Sequence, residues 1–259
     1  MSAEAADQVY VIARRSVVRT LRQPANVIAP LVFPLMLLAV NSAGLKAETH
    51  LPGFPTTSIL AFILAVPFIQ GALFATMNTG TDLARDIQTG FLSRLSLTPI
   101  RPVALLLGQL GGTVTLGLLQ AAVYLAVGLI AGVRFASGPA GVLVLIALYI
   151  LVVLAFGAIG LFMALRTGSG EAIQGLFPLF FVFLFISSMA IPRNLMSVTW
   201  FHDAATVNPV SYLIEGVRSL IIIGWDGQAL ALGFGIAATV SLVAVLFASR
   251  ALDQRLAGS

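Results

Sequence analysis

Every Asp, Glu, Lys, Arg and His of this chain lies outside six apolar stretches, at about 25–45, 56–81, 103–132, 140–165, 172–191 and 228–249. A helix rises 1.5 Å per residue, so about 20 residues cross a hydrocarbon core about 30 Å thick. Each stretch meets that length. Charged residues make up 9% of the 259-residue chain, against about a quarter in soluble domains. That is too few to cover a water-facing surface. The expected fold class is an all-α integral membrane protein with six transmembrane helices. The stretches leave no room for a separate soluble domain, so residues 1–259 form one membrane domain.

Orientation follows from the basic residues. With both termini in the cytoplasm, Arg14, Arg15, Arg19, Arg22, Arg85, Arg94, Arg101, Arg166, Arg250 and Arg255 fall inside, and Lys46, Arg134, Arg193 and Arg218 outside. Cytoplasmic loops of membrane proteins carry the excess of Lys and Arg, which selects this topology. The first stretch is too long, and starts too far into the chain, for a cleaved leader, so it is expected to stay as a span. The net charge of +4 sits at the ends of apolar runs, where it marks topology and meets anionic lipid rather than nucleic acid.

Three segments are not simple spans. In residues 7–22, Tyr10, Val11, Val17, Val18 and Leu21 recur at helical spacing beside four arginines, ending at Pro24. This pattern predicts an amphipathic helix on the inner membrane surface. The cytoplasmic connection 82–101 keeps an apolar stripe (Leu83, Ile87, Phe91, Leu92, Leu95), is broken by Gly90 and stops before Pro99. Such a stripe outside the bilayer has to pack on the interface or a partner. Residues 192–227 hold Asn208-Pro209 and then an apolar run of about a dozen residues, too short to span and suited to a re-entrant helix with Ser211 as its N-cap. Gly108-x-x-x-Gly112 and Gly128-x-x-x-Gly132 offer close helix approach.

The missing chemistry narrows the function. Lys46 is the only lysine and follows Leu45, so no G-x-x-x-x-G-K-[ST] phosphate loop exists. With no cysteine, no H-E-x-x-H and no G-x-S-x-G, the chain lacks catalytic groups and metal sites, and an enzyme is not expected. No carboxylate or histidine sits at mid-membrane to bind a driving ion. The spans do carry aromatics and neutral polar groups: Phe62, Gln70, Phe74 and Asn78 in the second, Phe180, Phe181 and Phe185 in the fifth. These are expected to line an apolar cavity, with Gln70 as its polar anchor, because an amide facing lipid is costly.

The basic N-terminal helix leading to RQPANVIAPLVFPLML, the loop ARDIQTGFLSRLSLTPIRPVALLLGQL and the late segment NPVSYLIEGVRSL, in this order among six spans, resemble the membrane subunit of type-2 ABC exporters, the daunorubicin-resistance permeases in particular. The resemblance covers the whole chain. It implies a separate ATP-binding subunit carrying ATP and Mg, with no cofactor on this chain. It also implies pairing with a second permease copy or a sister permease, in a bacterial cell membrane. It assigns ATPase coupling to Arg85, Asp86, Gly90, Phe91, Leu92, Arg94 and Leu95, and a re-entrant region to Asn208, Pro209, Glu215 and Arg218. Glu215 and Arg218, three residues apart, are spaced to pair.

The function so implied is export of a hydrophobic or amphipathic drug or lipid. Export of a polysaccharide or glycolipid stays open beside it, as does, from another class, a secondary transporter or channel acting without an ATPase.

Overall fold

The computed structural model describes residues 3–95 and 102–257, and among them every regular element is helical. The chain runs through α1 (Ala3–Leu21), α2 (Pro24–Gly44), α3 (Ile59–Ile63), α4 (Ala65–Gln88) and α5 (Phe91–Leu95). It continues through α6 (Pro102–Ile130), α7 (Gly138–Thr167), α8 (Gly170–Phe185), α9 (Thr199–Val207), α10 (Pro209–Arg218) and α11 (Gly227–Ala257). Residues 96–101 of the expected coupling loop lie outside the described residues.

Five helices are long and apolar enough to cross a membrane: α2, α3 with α4, α6, α7 and α11. The expected fifth span is not among them. The stretch at 172–191 is a 16-residue helix, α8, only about 24 Å long at the helical rise. It stops because Asn208 Nδ2 donates to the carbonyls of Phe183 and Ile186, both at 2.5 Å, taking the end of the helix into a turn. The same Asn208 is the N-cap of α10, its Oδ1 accepting from the Val210 N–H at 2.9 Å. Ser211, expected in that role, is instead buried, and its Oγ accepts from the Ser188 N–H at 3.2 Å.

α4 is the central helix, buried on nearly all sides by α2, α6, α7 and α8. Glycines make this possible: a Cβ on Gly160 of α7 would overlap the Thr76 carbonyl of α4, and one on Gly80 would meet the Gly160 carbonyl at 2.9 Å. α2 is packed more sparsely and is held by an unusual device. Pro30 and Pro34 lie inside it and lack the N–H that would reach the carbonyls of Asn26 and Pro30. Asn78 of α4 donates its Nδ2 to the Asn26 carbonyl (3.0 Å), and Tyr124 of α6 donates its hydroxyl to the Pro30 carbonyl (2.5 Å).

The molecule has two distinct ends. At one, the α4–α5 corner, the α7–α8 turn and the tail of α11 meet: Gln88 Nε2 donates to the Gly168 carbonyl (3.1 Å), and Arg255 Nη1 to the Leu165 carbonyl (2.5 Å). At the other, Ala136 N donates to the Ile221 carbonyl (3.0 Å) and Ser137 Oγ to the Leu220 carbonyl (2.7 Å), joining the α6–α7 turn to the segment after α10.

Removing the hydroxyl in Tyr124→Phe leaves a buried carbonyl unmatched, a loss of about 1–3 kcal/mol. Thermal unfolding in detergent should show a lowered midpoint for Tyr124→Phe and no change for Leu242→Val on the exposed face of α11.

Candidate functional site

The densest cluster of charge among the described residues ties α1 to α4. Asp82 and Asp86 stand one turn apart on α4, and Arg15 and Arg19 one turn apart on α1, so the two pairs present matching faces. Arg15 meets Asp86 with both guanidinium nitrogens (Nη1–Oδ2 2.9 Å, Nη2–Oδ1 2.8 Å). Arg19 bridges the two carboxylates, Nη1 to Asp86 Oδ1 at 2.9 Å and Nε to Asp82 Oδ1 at 3.1 Å. Gln109 of α6 donates its Nε2 to Asp86 Oδ2 at 2.9 Å. Asp86 is thus buried yet fully paired, the condition under which a buried carboxylate is tolerated.

Small residues let the helices come this close. Ser16 Oγ donates to the Gln109 carbonyl (2.9 Å) and accepts from the Gly112 N–H (3.1 Å). A Cβ on Gly108 would meet Ile12 at 2.5 Å, and one on Gly112 would meet Thr20 Oγ1 at 2.5 Å. The buried face of α1 is therefore Ile12, Ser16 and Thr20, while Tyr10, Val11, Val18 and Leu21 face outward.

The clamp extends to the corner that follows α4. Gly90 takes φ +69°, a left-handed conformation that suits glycine and ends the helix. α5 then folds back, Leu92 buried in the apolar cluster of Ile12, Leu83 and Leu105, and the Phe91 ring 3.8 Å beneath the Arg15 guanidinium. Arg85 and Arg94 remain exposed, Arg94 donating to the Thr89 carbonyl at 3.4 Å. The residues assigned to coupling thus divide: Asp86, Phe91 and Leu92 fasten the corner, Gly90 turns it, Arg85 and Arg94 face outward, and Leu95 ends α5.

At the opposite end the expected Glu215–Arg218 pair does not form. Glu215 is held by Arg193 (2.8 and 2.6 Å), whose guanidinium lies 4.4 Å over the Tyr212 ring. Partial burial works against the Arg193 charge, and the Glu215 carboxylate more than offsets it, raising the guanidinium above its usual range. Arg218 turns inward, donating to the carbonyls of Phe62 (3.0 Å), Ser188 (2.8 Å) and Met189 (3.0 Å), with Phe62 3.6 Å beneath it. Phe62, Arg193, Glu215 and Arg218 border an open cavity of about 450 Å³ with mixed polar and apolar walls.

The residues expected to share one substrate cavity are distributed over several places. Phe180 lines an apolar cavity of about 230 Å³ between α4, α7, α8, α10 and α11. Phe74, Phe181 and Phe185 join Phe33 and Phe177 in a file of ring contacts along α2, α4 and α8. Asn78 borders a polar niche near the α4–α5 end. Gln70 is buried, and neither polar atom of its amide has a partner among the described residues. The sequence reading passed over Asp82, Gln109, Ser16 and Arg193. The repeated four-residue spacing of Arg15/Arg19 and Asp82/Asp86 is the signal that would have paired α1 with α4.

A bundle of apolar helices with a charge-clamped corner at one end and a broken-helix cap at the other is the scaffold of a membrane permease. The ABC-2 type transporter family model matches residues 7–222, and the chain belongs to that family. It is 29% identical over 202 residues to the daunorubicin resistance ABC transporter permease protein DrrB1 of Streptomyces coeruleorubidus, covering 75% of this chain and 66% of that one. It is 25% identical over 221 residues to the probable doxorubicin resistance ABC transporter permease protein DrrC of Mycobacterium tuberculosis, covering 84% and 78%. With the ycf38 protein of Porphyra purpurea it shares 25% identity over 270 residues, covering 98% and 92%.

Gly112→Val should force α1 off α6, whereas Gly175→Val, with open space around it, should not. The expected result in limited tryptic digestion is faster cleavage after Arg15 and Arg19 in the first variant alone.

Proposed function

We propose that this permease is the membrane subunit of an exporter for hydrophobic or amphipathic compounds, drug or lipid, driven by ATP that a separate subunit hydrolyses with Mg. The observation that carries the reading is the corner at Gly90. It exposes Arg85 and Arg94 to a partner, while Asp86, Phe91 and Leu92 fasten it to α1 and α6. A push on α5 would then move α1, the end of α4 and the start of α6 together, and α4 would carry it into the bundle. The chain itself has no phosphate loop, so the work has to come from outside it.

In this reading both termini are cytoplasmic in a bacterial cell membrane. α8 and the residues after it complete a sixth, broken span, with α9 and α10 as the re-entrant element. A second permease copy or a sister permease closes the path. The outward apolar side chains of α1, beside Arg14 and Arg22, rest on anionic lipid.

Among the described residues, Arg85→Glu combined with Arg94→Glu removes no ion pair. In cells, the double variant should insert at the wild-type level, lose its ATP-binding partner on mild-detergent purification, and export a daunorubicin-like dye at least tenfold more slowly. Undiminished export by that variant would count against the reading, as would export that survives ATP depletion but collapses with the ion gradients.

A further inference from the structure

A niche of about 360 Å³ opens between α2, α4 and α8 near the α4–α5 end, and its walls carry an unusual number of amides: Gln23, Asn78, Gln88 and Gln174, with Thr81 and Arg85. Some of their capacity is spent internally. Asn26 donates to Gln23 Oε1, Asn78 Nδ2 serves the Asn26 carbonyl, and Gln88 Nε2 serves the Gly168 carbonyl. Each of these amides keeps its other polar atom without a partner among the described residues, and the Gln174 side chain makes no hydrogen bond among them. Pro178 adds an acceptor, because it lacks the N–H that would take the Gln174 carbonyl.

The charges around the niche are already balanced. Asp82 is engaged by Arg19 through Oδ1 at 3.1 Å, and with Arg85 on the same wall the lining carries no net charge. Arg85 is the one open cation among the lining residues, too few for a phosphate to be bound without further help. What the niche offers is paired donors and acceptors, and amides present both at once. Neighbouring hydroxyl groups, each a donor and an acceptor, are their natural complement.

The niche continues into the aromatic file. Phe74 is one turn from Asn78, and Phe177 three residues beyond Gln174. From there Phe74–Phe177 (5.1 Å), Phe177–Phe181 (4.9 Å) and Phe181–Phe185 (6.2 Å) lead along α8, with Phe33 of α2 touching Phe74 (6.0 Å) and Phe181 (5.9 Å). From Phe177 to Phe185 the file runs about 12 Å at the helical rise. Phe33 and Phe185 are exposed at its side, so a flat apolar body can enter laterally.

We propose that this niche and file form a binding site for amphiphiles with a neutral, polyhydroxylated head, such as a glycosyl group, on a planar or alkyl apolar body. The inference rests on the exporter reading for its biological sense, but the binding it asserts belongs to this chain alone. The head lies among Asn78, Gln88 and Gln174, and the body along Phe74, Phe177 and Phe181.

The test uses the full-length permease in lipid nanodiscs with three diazirine photoprobes of equal chain length: a dodecyl glucoside, a dodecyl phosphocholine and a dodecyl trimethylammonium. Peptide mapping should place saturable glucoside labelling on residues 74–78 and 174–181, at least tenfold above the other two probes. Gln174→Leu, an exposed position whose change disturbs no internal bond, should weaken competition by unlabelled dodecyl glucoside at least fivefold. Equal labelling by all three probes, preference for the ammonium, or saturable glucoside labelling confined to the cavity beside Arg193 would each overturn the proposal. Recovery of the ATP-binding partner is measured on the same preparations. An unlabelled niche with the partner present sinks this site alone, whereas a labelled niche without a partner sinks the exporter reading and leaves the site standing.

Discussion

Hydrocarbon offers no water to a backbone carbonyl, and at the main breaks in the apolar helices of this protein a side chain from another element supplies the missing bond. Pro30 and Pro34 free two carbonyls of α2, which Asn78 and Tyr124 take. The break at Leu64 between α3 and α4 leaves the Phe62 carbonyl to Arg218, which also takes those of Ser188 and Met189 where the chain turns back after α8. Asn208 takes the last carbonyls of α8. The irregular parts of the fold are therefore also its cross-links. Each break joins two or three elements that length and apolarity alone would leave free to slide.

The clamp on α1 follows the same rule with charge in place of carbonyls. Two carboxylates at the end of the most buried helix are acceptable only because two arginines and Gln109 reach them, and those arginines can reach only because α6 carries glycine where α1 crosses it. The result is a rigid patch at one end of an otherwise apolar bundle. A partner that binds the exposed arginines of the corner gains a handle on three helices at once. Under the proposed function, that handle is the route by which a separate ATP-binding subunit would act on this chain.

Much of the architecture was legible in the sequence because lipid imposes a length and a polarity on each span. The first, second, third, fourth and sixth stretches all became helices long and apolar enough to span. The fifth did not reach that length, because Asn208, more than 20 residues further along, ends it; apolarity alone cannot register such a partner. The pairing of Glu215 with Arg193 rather than Arg218 was hidden for a similar reason. Helical spacing reports neighbours on one helix, and the true partner lies on the return segment. The face of α1 was half visible: its apolar side chains were evident, but the small polar side that packs on α6 reads as neutral until Gly108 and Gly112 are set against it. Of the aromatic residues, the sequence identified those on α4 and α8 but not that Phe180 turns to a different cavity from Phe181.

The central claim is that α1 and the α4–α5 corner move as one body when the partner acts. The chain has no cysteine, so spin labels can be placed at will, and Arg14→Cys with Arg94→Cys puts one on each exposed surface of the clamped unit. Pulsed electron–electron resonance on the complex with its ATP-binding subunit would compare the nucleotide-free and ATP-trapped states. The account predicts an unchanged Arg14–Arg94 distance distribution while a second pair, Arg94→Cys with Met36→Cys on α2, shifts. A shift within the first pair would contradict it.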